Sequence, residues 1–157
     1  MATSEDILIA DEISDALNGE SFSIAFTSER LYVSDWDAKE ELVDLQVGVW
    51  PAESAMQLWE REQVEESFRI GLSFAQKISA ALRSDVDLLC DLVTEVKDFL
   101  ELKGVTLADG RVYENTGWEY LARFAESRLD RNKGADGIVR YTGMFASAIV
   151  FDYLSME

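Results

Sequence analysis

The chain has 157 residues and 17.7 kDa, with 31 Asp and Glu against 14 Lys and Arg, a net charge of −17, one cysteine and no histidine. An internal disulfide and every mechanism built on an imidazole are excluded. The acidity argues against a nucleic-acid reader, whose footprint is basic, and against an anionic membrane surface as partner.

The first predicted element is a helix. Ser4 is a good N-cap, with Glu5 and Asp6 in the first turn where the helix dipole favours acids. Ile9, Ile13, Ala16 and Leu17 share one face, and Asn18-Gly19 ends the helix, the glycine supplying a left-handed cap. Residues 22–33 read as a strand on Ile24, Phe26, Leu31, Tyr32 and Val33, with 27–30 an irregularity. A polar acidic loop over 34–41 follows, then a second strand over 42–50 closed by Pro51, the chain's one proline, which marks its end or an edge. Residues 52–66 fit a short strand running into a loop, although their Glu content also suits a helix.

The clearest strand is 68–75. Phe68, Ile70, Leu72 and Phe74 point one way and Arg69, Gly71, Ser73 and Ala75 the other, which predicts a hairpin with the preceding strand. A second helix starts at Ser84, carries the stripe Leu88, Leu89, Leu92, Val93, Val96, Phe99 and Leu100, and stops at Gly104. Asp109-Gly110 signals a turn beside a short strand, and 118–126 reads as another strand. The polar run 127–137 reads as a mobile loop, and 140–154 as a last strand, apolar on both faces and therefore central or at a subunit contact. The order predicts one α+β domain over 1–157: a mainly antiparallel β-sheet with two main helices packed on one face. It leaves room for a loop or hairpin insertion at about 104–137.

Chemical motifs are scarce. There is no P-loop and no GxGxxG. Ser-His-Asp and Cys-His arrangements cannot be built, and one Cys plus carboxylates is a poor zinc set. Asp35-Trp36-Asp37 and Asp85-Val86-Asp87 alternate carboxylates as a calcium loop does, but lack its Gly and terminal Glu. Solvated charges and helix N-terminal acids explain them. Cys90 has no base beside it in sequence and reads as a small hydrophobe. A paired-carboxylate hydrolase is chemically allowed, but no pair stands out from the 31 acids. No catalytic, cofactor-binding or metal residue is therefore assigned. No stretch of 18 apolar residues occurs, and the acidic start lacks a signal-peptide n-region, so a reducing cytosol is the expected compartment.

Charge is uneven. Residues 1–66 hold 17 acids and 3 bases, net −14, whereas 67–157 hold 14 acids and 11 bases, net −3. Arg123, Arg128, Arg131, Lys133 and Arg140 outnumber Glu126, Asp130 and Asp136 in one stretch. This is either solubility and accident, or a basic loop of one copy meeting an acidic surface of another. Trp36, Trp59 and Trp118 lie outside periodic patterns, as interface aromatics do and as residues capping a core edge do.

Ala16-Leu17-Asn18, Phe22 through Phe26 to Glu29-Arg30, and Leu45-Gln46-Val47-Gly48-Val49-Trp50-Pro51 together resemble a group of small tailed-bacteriophage and prophage proteins. Phe68 to Gln76-Lys77 is similar to the group's strand ending in Gln-Lys, and Phe145 to Phe151 to its C-terminal strand. By element order and size the group looks like the tail-terminator and tail-completion proteins of the phage neck. The resemblance implies a homo-oligomeric, usually hexameric ring between the tail tube protein and the head-side connector proteins. It implies a place in the virion after assembly in the host cytoplasm, DNA passing without specific binding, and no membrane or small-molecule partner. The chain departs from the group in its expanded 104–137 region and its acidity. Some of the acids within 29–66 are expected to line a ring lumen, since carboxylates repel phosphates. Competing expectations are a head-completion adaptor, a minor tail protein, and an acidic protein that imitates DNA; an enzyme is the weakest.

Overall fold

The structure, a computed structural model, describes residues 4–31, 44–59, 63–122 and 129–155. The elements in chain order are α1 (Glu5–Asn18), β1 (Ser28–Arg30), β2 (Gln46–Trp59), β3 (Gln63–Ala81), α2 (Arg83–Glu101), β4 (Val105–Thr106), β5 (Val112–Ala122), β6 (Leu129–Lys133) and β7 (Val139–Ser155). The fold is α+β, with two helices and a curled, mostly antiparallel sheet. The strand order is β1-β2-β3-β7-β5-β4, with β6 also paired to β7.

The alternation in 68–75 is realised. Phe68, Ile70, Leu72 and Phe74 lie in the core with Ile9, Ile13 and Leu17 of α1 and Leu89, Leu92, Val93, Val96 and Leu100 of α2. Both helices therefore pack on one face. β2 and β3 form the expected antiparallel hairpin, from Gln46 opposite Ala75 to Trp59 opposite Gln63. β7 is central as expected, flanked by β3 on one side and by β5 and β6 in succession on the other. Phe145, Ile149, Phe151 and Tyr153 of β7 are fully buried. Strands from 105–106, 112–122 and 129–133 all join this sheet.

Several expectations are corrected. Residues 22–27 are not strand; among the described residues of that stretch Ser28–Arg30 is, running parallel to β2, while Tyr32 and Val33 lie outside the described residues. Phe22, Ile24 and Phe26 alternate as a strand would, but they pack on the core from an irregular segment, with Phe22 stacked on Phe26 and edge-on to Phe99. Ring packing competes there with a ladder and wins. Leu42 and Val43 lie outside the described residues, as does the 34–41 loop. The second strand does not end at Pro51 but continues to Trp59. Val49 O accepts from Leu31 N–H at 2.7 Å, so the Val49 polar groups face β1. The pleat turns the Pro51 nitrogen to that same outer side, where no bond to β3 is lost.

Gly19 closes α1 at φ −87°, a right-handed and not a left-handed cap. α2 begins at Arg83 behind an N-cap at Leu82, two residues before Ser84, because the Asp85 carboxylate accepts the Leu82 N–H at 3.1 Å. Leu88 is 54% exposed and does not belong to the buried stripe. Gly104 follows the helix end at Glu101; a Cβ there would lie 2.9 Å from Tyr113 O, so the glycine serves a close approach. The Asp109-Gly110 turn forms as read, with Gly110 at φ +94°. One strand, β5, covers both 112–113 and the expected 118–122, while 123–128 lies outside the described residues. The expected loop over 127–137 is in its described part a strand, β6, and a tight turn with Gly137 at φ +80°.

Candidate functional site

Residues of Glu20 to Arg30 carry the chain from α1 to the β1 edge, and side chains fix the crossing. Asn18 Oδ1 accepts the Ser28 N–H at 2.7 Å, and its Nδ2 donates to Ser28 O at 3.1 Å. Ser28 Oγ donates to Ser14 O at 3.0 Å and shares a bond of 2.8 Å with Ser14 Oγ. Arg30 Nε pairs with Asp11 at 2.6 Å. These contacts satisfy buried polar groups that would otherwise each cost about 1–3 kcal/mol. They leave Glu20, Glu29 and Asp44 exposed around the β1 end of the sheet. None of the three has an ion-pair partner among the described residues.

The far side is different in sign. In β6 only Leu129 is half-buried, and Asp130, Arg131, Asn132 and Lys133 are exposed. Arg140 is held by Asp136 at 3.0 Å, and that guanidinium keeps the Asp136 carboxyl below the usual carboxylate range. Arg131 and Lys133 have no acid paired to them among the described residues.

On the helix-free face Arg69 bridges two strands, reaching Asp152 of β7 at 3.0 Å and Glu119 of β5 at 3.1 Å. Trp118 does not lie in a loop: it sits on β5, edge-on to Tyr120, under the Lys97 ammonium and donating to Glu101 at 3.1 Å. Trp59 is the last residue of β2, and Trp36 lies outside the described residues.

The start of α1 meets the β4–β5 turn. Tyr113 Oη donates to Glu5 at 2.5 Å, while Arg111 bridges Glu5 at 2.8 Å and Asp109 at 2.8 Å. Burial first, and then the bond to Glu5, push the Tyr113 phenol up from 10.0 to about 12. The neutral phenol is thus favoured in the folded state. Its contribution to stability is whole below pH 10 and is lost as pH rises through about 12. Tyr153 is raised as well, by burial. Tyr113→Phe is expected to flatten the loss of stability between pH 10 and 12, read from urea midpoints at each pH, while Tyr153 and Lys97, both raised as well, keep part of the slope.

Asp85 caps α2, which explains the Asp85-Val86-Asp87 spacing without calcium, and Asp35-Trp36-Asp37 lies outside the described residues. Among the described residues no three His, Cys, Asp or Glu side chains group to hold a metal. Cys90 is half-buried on α2. A cleft of about 840 Å³ opens between residues 24–27, the start of β2 and the start of α2. Its walls bring Lys77, Asp44 and Asp85 among Ile24, Phe26, Leu45, Ile78 and Leu89. Among the described residues no helix is long and apolar enough to cross a membrane.

The charge imbalance can be counted along the chain, but the residues that fix the α1–β1 crossing and bridge the strands cannot. Asn18 and Ser28 carry no signal beyond their turn-forming chemistry. Arg69 shows only as an out-pointing member of an alternating strand, and its partners lie far off in sequence. No protein-family model matches the chain, and no curated protein matches it.

Proposed function

We propose that the chain is a structural virion protein, a ring-forming tail terminator at the head–tail interface of a tailed phage. It caps the tail tube and lets DNA pass through an acidic lumen. The observation that carries this reading is the separation of charge. Along the sequence acids dominate residues 1–66, net −14, while Arg131 and Lys133 stand exposed on β6. An acidic surface removes the sequence-independent attraction that Lys and Arg give to phosphate. Six copies would carry roughly 100 negative charges, a field that keeps DNA moving. The resemblance of 16–51, 68–77 and 145–151 to phage neck proteins supports the same reading. No enzymatic activity, cofactor or small-molecule substrate is proposed. The ring belongs to the virion neck, assembled in the host cytoplasm, between the tail tube protein and the head-side connector proteins.

The test is the solution mass by light scattering at low and high salt. A species near six times 17.7 kDa is expected, weakening as salt rises. A chain that stays monomeric alone and on purified tail tubes overturns the ring. A ring image with the acids of 29–66 on its outer wall removes the lumen assignment. The net charge of −17 also favours a second reading, a DNA-imitating protein that occupies a basic partner. Competition with DNA for such a partner, without a ring, is its signature.

A further inference from the structure

We propose that the two outer sides of the sheet are the halves of one self-contact. The β6 side of one copy, through Arg131 and Lys133, meets the β1 side of the next, through Glu20, Glu29 and Asp44. The inference rests on the ring reading and names the surfaces that would close it.

Three observations carry it. The first is charge: Arg131 and Lys133 share one face of β6, with the exposed Asp130 on the other, and Glu20, Glu29 and Asp44 are exposed on the β1 side, none of them ion-paired among the described residues. Their neighbours are already engaged, Arg140 by Asp136 and Arg30 by Asp11. What remains is what a partner can use, and the other copy supplies it. The second is position. β1 begins the strand order, and among the described residues β6 pairs only with β7, on the side away from β3. The two surfaces are different patches of one molecule, so the contact is head to tail. It closes into a ring where the rotation allows and runs on as a filament where it does not. The third is regularity. β6 keeps five unbroken rungs with β7. The competing edges are blunted: β2 has Pro51 and a register shift between Pro51 and Glu53, and β5 shifts between Asn115 and Gly117 and again between Tyr120 and Ala122.

Edge cations have another use, keeping strands from pairing, and the experiment separates the two. One variant carries Arg131→Glu and Lys133→Glu. A second carries Glu20→Lys, Glu29→Lys and Asp44→Lys. A third carries all five. All positions are exposed, and circular dichroism checks the fold. Sedimentation velocity follows assembly, in solution and on tail tubes. The first two variants alone should each need about tenfold more protein to assemble. An equimolar mixture of the two should assemble, since each then meets an oppositely charged neighbour, and the five-fold variant should behave as wild type. A wild-type ring that tolerates both reversals overturns this contact and leaves the ring reading standing. Self-association increased by Arg131→Glu and Lys133→Glu assigns those residues to edge protection and also overturns it. A wild-type chain that assembles in neither setting overturns both.

Discussion

Phe151→Ala is expected to cost about 3–5 kcal/mol, the range for truncating a buried aromatic ring. Phe151 is 1% exposed and stands on β7 between Ile70 of β3 and Trp118 of β5. Its ring therefore fills space that no single neighbour can close by relaxing, because the walls are two hydrogen-bonded ladders. Domains of this size are stable by about 5–15 kcal/mol, so the loss takes much of the margin. Urea denaturation gives the value. A loss under about 1 kcal/mol would mean that the core collapses around the gap and that β7 is not the rigid centre described here.

The second large effect concerns Gly71. It faces Trp50 across the β2–β3 ladder, and the indole lies flat over it, Nε1 donating to Ser73 Oγ at 2.8 Å. A Cβ on residue 71 would stand 2.2 to 2.6 Å from three ring atoms. Gly71→Ala must push the ring off the sheet and break that bond, for about 1–3 kcal/mol. The sign should invert once the ring is gone. In a Trp50→Ala background the ring atoms that a Cβ on residue 71 would meet are gone, and alanine orders a strand at lower entropic cost than glycine. The change should then be neutral or stabilising. A double-mutant cycle in urea measures the coupling. Equal cost in both backgrounds would show that Gly71 is needed for its backbone and not for the indole.

The parts of the fold that were legible are those in which local pattern and burial agree. Phe68 to Phe74 alternate because one face of β3 is core, and the α2 stripe is helical because Leu89, Leu92, Val93 and Val96 must meet that face. Misreadings occur where tertiary partners override local preference. Leu-Asp-Arg-Asn-Lys has weak strand propensity, yet β7 supplies the whole ladder for β6. Phe22 and Phe26 look like strand, yet Phe99 from α2 claims the ring edge. Leu88 has the spacing of the stripe but falls in the helix's exposed first turns. The charged surfaces were half legible: the imbalance can be counted, but the pairing of Arg30 and Arg140, which leaves Arg131 and Lys133 over, needs distances.

The central place of β7 bears on synthesis. β3, β5 and β6 all leave the ribosome before the strand that joins them. Until residues 139–155 emerge, β3 lacks one neighbour and β5 and β6 lack their common one. The nascent chain can form α1, α2 and the β2–β3 hairpin, but its sheet stays in three pieces, β1-β2-β3, β4-β5 and β6, with unpaired edges. Such intermediates aggregate and are the usual clients of chaperones. The closing contacts span long sequence separations and form slowly. A premature stop before residue 139 would therefore release insoluble protein rather than a shortened but working one.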